Sequence, residues 1–153
     1  MNGSFSLRPP DPRGEPVWLR PVEHTADAGL RVRATTLAGV FERAAWGMFA
    51  LLGEPWTVRP VRRFRLEVRG PDREALLVRW LTELNYRHLT QGLFFSRFRV
   101  VAWSDRRLVA VAAGEKLDPD RHVVWREIKA VTFHQLRIAR AGGEWEAQVL
   151  FDL

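Results

Sequence analysis

The chain contains no cysteine, which excludes disulfides, thiolate nucleophiles and zinc–thiolate sites together. Lysine is nearly as scarce: of 24 basic residues, only Lys116 and Lys129 are not arginine. Serine occurs at positions 4, 6, 96 and 104. The first two precede any patterned segment, so Ser96 and Ser104 alone stand where a nucleophile could be held. No apolar run approaches the roughly 18 residues that suggest a membrane span. The first sixteen residues show neither the apolar core nor the small-residue cleavage site of a signal peptide. Glycine-rich phosphate loops, a Walker motif and a GxSxG elbow are all missing, and His24, His88, His122 and His134 are not at helical metal-ligand spacing. Serine or cysteine hydrolysis and P-loop chemistry are thereby set aside, and a cytoplasmic protein is expected.

What is present describes one ordinary domain. A chain of 153 residues with 46% hydrophobic and 27% charged residues is sized and composed for a single core. Its net charge of +6 permits attraction to phosphate-rich partners. The arginines, however, are spread along the chain and alternate with apolar residues, as in RFRLEVR (63–69). That pattern reads as a solvated strand face rather than a focused nucleic-acid groove.

Residues 1–16 hold four of the nine prolines and two glycines, so a mobile Pro/Gly-rich arm is expected there, with the folded domain over 17–153. Leu30, Val32 and Ala34 alternate with Arg31 and Arg33 as in a half-buried strand. Thr36 is placed to cap a helix whose apolar positions run from Leu37 to Leu52 until Gly53 and Pro55 stop it. Trp46 and Phe49 fall off its main stripe and mark either a partner surface or a second buried face. A second strand follows around Phe64, Leu66 and Val68. Gly70 and Pro71 then open a second helix, with Asp72 and Glu74 at its start, an apolar stripe of Leu76, Leu77, Trp80, Leu81, Leu84 and Leu89, and Gly92 at its end. Two hairpins complete the chain: 97–103 with 108–114, and 128–140 with 145–152 around Gly142 and Gly143. The order predicts an α+β single domain in which two helices bury their stripes against a mixed or antiparallel β-sheet, layered or sandwich-like.

Acidic residues offer the most pointed chemistry. In the tail WEAQVLFDL (145–153), strand parity puts Trp145, Ala147, Val149 and Phe151 on one face and Glu146, Gln148, Leu150 and Asp152 on the other. If the last strand runs beside the first, Asp27, Asp152 and the main-chain carboxylate of Leu153 converge. Such a set of hard anionic groups calls for a neutralising cation, and oxygen-only ligation favours Ca²⁺ or Mg²⁺. Asp27 also fits a plain role as a turn former. Lys129 stands where an arginine-rich chain has chosen a compact ammonium, or is simply a solvent-facing base. His24 and His134 read locally as satisfied structural histidines.

The stretches EHTADAGLRVRATTLAGVFERAAWGMFALL (23–52), LLVRWLTELNYRH (76–88), GE (114–115), EIKAVTFHQL (127–136) and WEAQVLFDL (145–153) together resemble the archease family, in the family's order and over nearly all of the chain after residue 20. The resemblance implies the compact archease α+β fold and a non-enzymatic partner of RtcB-type RNA ligases, which act in tRNA splicing and RNA repair. It implies promotion of ligase guanylylation, multiple turnover and broader nucleotide use. It assigns a divalent-cation site to Asp27, Asp152 and Leu153, with Ca²⁺ first and Mg²⁺ or Mn²⁺ as alternatives. Lys129 is carried over as the important lysine of its motif, with His24 and His134 beside it as candidates for partner contact. The partners implied are the ligase and, through it, tRNA or broken RNA, with neither DNA nor membrane. Phe133 departs from the family's frequent tyrosine. Metal-dependent hydrolysis and a general chaperone or RNA-binding role are the alternative readings.

Overall fold

Threonine 36 and aspartate 72 show how the local sequence starts each helix. In the computed structural model, which describes residues 16–23 and 27–153, the Thr36 hydroxyl accepts the Gly39 amide at 3.0 Å and opens α1 (Leu37–Leu52). The Asp72 carboxylate accepts the Ala75 amide at 2.8 Å and opens α2 (Arg73–Gln91). Gly92, at φ 64, closes α2 in the left-handed region, its amide donating to the His88 carbonyl.

Among the described residues, seven strands surround the helices: β1 (Leu19–Glu23), β2 (Asp27–Ala34), β3 (Arg62–Arg69), β4 (Leu93–Ser104), β5 (Arg107–Lys116), β6 (Ala130–Ala141) and β7 (Glu144–Asp152). They form two antiparallel sheets, β1-β2-β7-β6 and β3-β5-β4. Helix α1 packs on β2 and β7 of the first sheet and on β4 of the second, while α2 packs on β6 of the first and on β3, β4 and β5 of the second. The helices are therefore the middle layer of a sheet–helix–sheet sandwich, an α+β single domain. Gly142 and Gly143, at φ 59 and 83, supply the two positive-φ positions of a tight hairpin between β6 and β7.

The middle position explains a departure in α1. A helix between two sheets must be apolar on more than one side. Phe49 is completely buried, with ring centroids 5.2, 5.6 and 5.8 Å from those of Phe94, Phe95 and Phe98. Trp46 is half-buried between Trp18 and Trp56. These two residues mark a second buried face. In α2, Leu89 is exposed, and His88 takes the inward position, because it continues the 3–4-residue spacing from Leu81 and Leu84 that Leu89 breaks.

Strand β1 is not evident from periodicity, since Pro21 interrupts it. Among the described residues it is an edge strand with one side without a sheet partner, where a missing N–H is tolerated. The arm expected over residues 1–16 lies, except for Pro16, outside the described residues. Among the described residues no helix is long and apolar enough to cross a membrane.

Candidate functional site

Pairing of β2 with β7 sets Asp27 directly opposite Asp152, and pairing of β6 with β7 sets Ala130 opposite the same Asp152. Ala28 and Phe151, the next rung, face the core and are buried. Strand alternation therefore turns Asp27 and Asp152 together to the outer face. Directly opposed side chains on an antiparallel ladder have Cβ atoms about 4.5–5.5 Å apart, where like charges repel. Asp27 is half-buried and Asp152 exposed, with Leu153 next in the chain. Among the described residues no three His, Cys, Asp or Glu side chains gather into a metal cluster. The rung thus offers two carboxylates, and further oxygens must come from main chain, water or a partner.

Lys129 is held beside this rung by its backbone. Its amide donates to the Asp152 carbonyl at 2.8 Å. One residue earlier, the carbonyl of fully buried Ile128 accepts from Asn85 Nδ2 at 2.8 Å. Helix α2 and strand β7 therefore clamp the main chain on both sides of an exposed lysine side chain.

His134 does not sit on the carboxylate rung. The β6–β7 register jumps from Thr132 opposite Leu150 to Arg137 opposite Gln148, so residues 133–136 bulge out. Gln135 there has φ 53, and Phe133 and His134 are exposed. Gln148 Nε2 donates to the Gln135 carbonyl at 3.1 Å and braces the bulge. Bulges of this kind re-aim side chains near functional sites. His24 lies outside the described residues.

A second polar centre, around Glu115, is not singled out by residue spacing. Glu115 is 9% exposed. It accepts the Arg59 amide at 2.7 Å, Arg121 Nη2 at 2.5 Å and His122 Nε2 at 3.1 Å. His122 Nδ1 accepts the Asp118 amide at 2.9 Å, so the ring proton sits on Nε2 and is donated to Glu115. These bonds, Arg121 first among them, hold the carboxyl at about 2, well below its ordinary value. The centre is structural: it ties the loop after β5 to the segment before β3. Gly114 beside it has no room for a side chain, because a Cβ would strike the Phe94 carbonyl.

His88 is likewise structural. Its Nδ1–H donates to the Leu93 carbonyl at 2.9 Å, and burial pushes its pKa below the ordinary 6.5. The native state holds the neutral ring, so the unfolded chain binds the proton first and stability falls as pH drops through 6.5 toward the lowered folded value. Thermal unfolding should show a lower Tm at pH 5.5 than at pH 8, and His88→Gln should shrink that difference. An undiminished difference in the variant contradicts the assignment.

Comparison with known proteins agrees with this architecture. The model of the Archease protein family (MTH1598/TM1083) matches residues 20–153. The chain is 39% identical over 138 residues to the protein archease of Methanopyrus kandleri, covering 86% of this chain and 96% of that one. To that of Thermococcus gammatolerans it is 40% identical over 135 residues, covering 86% and 95%. The solution structure of protein 1598 from Methanobacterium thermoautotrophicum is similar with a TM-score of 0.75 at 33% identity, covering 89% of this chain and 99% of that one. A crystal structure from Thermotoga maritima, described as an archease and possible chaperone, shares the fold with a TM-score of 0.59 at 18% identity. From the layered fold, the relatives at 39 and 40% identity and the match over residues 20–153, the chain belongs to the archease family.

Proposed function

We propose that the protein is a non-catalytic activator of an RtcB-type RNA ligase, acting in the cytoplasm in tRNA splicing and RNA repair. It promotes guanylylation of the ligase, supports multiple turnover and broadens nucleotide use. The observation that carries this reading is the Asp27–Asp152 rung, with Lys129 clamped beside it, in a chain of the archease family.

The donor set fits a hard divalent cation. Two carboxylates stand opposed on one rung, every ligand atom is oxygen, and Leu153 adds main-chain oxygen next to Asp152. Ca²⁺ suits this all-oxygen set best, with Mg²⁺ or Mn²⁺ as alternatives. Bound there, the cation supplies positive charge for phosphate oxygens at the ligase's nucleotide pocket. Asp27 and Asp152 would hold it from two strands whose pairing sets their spacing. The Lys129 ammonium, on a clamped main chain, meets a phosphate or an acidic ligase group as a compact point charge. His134 and the Phe133 bulge present a further contact surface to the ligase, and His24 is proposed for partner contact from the family resemblance alone.

Lys129→Ala is expected to lower stimulation of ligase guanylylation about tenfold or more. Lys129→Arg should recover little of it, because a planar fork does not replace a point charge. Both variants should melt with the parent, as the side chain is exposed. A guanylylation time course with ligase, GTP and divalent metal provides the test. Full stimulation by Lys129→Ala removes the lysine from the mechanism.

A further inference from the structure

On the sheet β3-β5-β4, arginines from strands far apart in sequence meet on the face turned away from the helices. Arg63 and Arg97 both pair with Ala113, and Arg65 and Arg99 both pair with Val111. Two successive outward rungs therefore read arginine, small apolar residue, arginine. Outer strands of a three-stranded sheet lie about 10 Å apart, and same-face rungs about 6.7 Å apart along the strand. All four arginines are exposed. Between the rows runs a groove of about 380 Å³, walled by Arg63, Arg97 and Arg99 over Val101, Val111 and Ala113.

Charge on this face is not internally balanced. Glu67, on the next rung opposite Val109, is already engaged by Arg107 at 3.0 Å and Arg69 at 2.8 Å. Among the described residues no carboxylate pairs with Arg63, Arg65, Arg97 or Arg99 in hydrogen bond or ion pair. Guanidinium is the side chain best shaped to grip phosphate oxygens bidentately. The floor strand β5 bonds to neighbours on both sides, so it has no open edge onto which a peptide could add as a strand. Val101, 50% exposed where the β4 register shifts, extends the apolar surface available to the sugars.

We propose that this groove binds the phosphodiester backbone of a single nucleic-acid strand, with the two arginine rows gripping phosphates and the aliphatic floor lying under the sugars. Nothing on the floor reads base edges, so binding is sequence-independent. The groove lies on the three-stranded sheet, across the helix layer from the Asp27–Asp152 rung. A strand held there leaves the carboxylate end open. The proposal does not depend on the ligase reading, and its test contains no ligase.

The test is fluorescence anisotropy of the full chain with labelled oligouridine about 12 nucleotides long, within the ~4–16-nucleotide range of such sites, over a series of salt concentrations. Parallel arms use oligodeoxythymidine and an oligoglutamate peptide. Binding should weaken steeply with salt. Arg63→Gln/Arg97→Gln should lower the log–log salt slope by about 1.4, since each phosphate left without its arginine removes about 0.7. Arg20→Gln, on the other sheet, should bind like the parent. Similar binding of the DNA strand supports recognition of the shared backbone, and preference for the RNA strand supports it with the ribose adding contacts. Three results overturn the proposal: no oligonucleotide binding, equal weakening in Arg20→Gln, or binding of oligoglutamate in place of both nucleic acids, which would make the groove a dock for an acidic protein segment.

Discussion

Asp152→Asn is expected to leave the metal-free protein about as stable as the parent while erasing its stabilisation by Ca²⁺. Asp27 and Asp152 face each other on one rung, where both can ligate one cation. At the exposed position of Asp152 an amide stays well solvated, and it takes away one anionic ligand. A cation that binds only the folded chain adds about 2.7 kcal/mol at a hundred times its Kd. At about 2–4 °C per kcal/mol for a chain of this size, the parent's Tm should rise by about 5–11 °C. Thermal unfolding with chelator and then with excess Ca²⁺, Mg²⁺ or Mn²⁺ reads both halves. A parent that responds to none of the three ions contradicts the cation site, as does a variant that keeps the full response.

Glu115→Ala is expected to cost about 3 kcal/mol and to lower Tm by about 6–12 °C. The buried carboxylate serves three donors at once: the Arg59 amide, Arg121 and the Nε2–H of His122. Its removal strands the ring N–H of His122, which is 6% exposed, and frees the loop that the three bonds hold. The pH dependence has a definite sign. A carboxyl at about 2 when folded, against an ordinary 4.5, contributes stability that is complete above 4.5 and is lost as pH falls through about 2. Glu115→Ala should therefore destabilise most at neutral pH and converge with the parent toward pH 2. A constant gap across that range would show that the carboxylate's charge is not the source.

Much of this was readable in residue order, for identifiable reasons. Helix α1 announces itself by Thr36, its apolar positions and Gly53, and α2 by Asp72 and Gly92, because caps are local chemistry. The faces of the tail follow from period-2 parity, and Asp27 meets Asp152 once β7 is placed beside β2. Pairing is a tertiary fact, so sequence states it only as a condition. Strand β1 escapes because Pro21 removes the pattern that would reveal it. The Glu115 centre escapes because its partners lie at Arg59, Arg121 and His122, joined by loops with no period. The arginines of 63–69 read as a solvated face, which they are. Only the insertion of β5 between β3 and β4 makes two such faces into the walls of one groove. Trp46 and Phe49 stay ambiguous in sequence because a middle-layer helix has no single apolar side to define the other.

The most direct measurement of the central claim is turnover by the cognate RtcB-type ligase, with GTP, divalent metal and a broken RNA, as this protein is titrated in at well below stoichiometric amounts. The account predicts that ligation passes from a single turnover per ligase to many, and that Asp27→Ala, folded and monitored alongside, restores none of it. A ligase that is active yet stays at one turnover with the parent protein, or that is driven equally by Asp27→Ala, would contradict it.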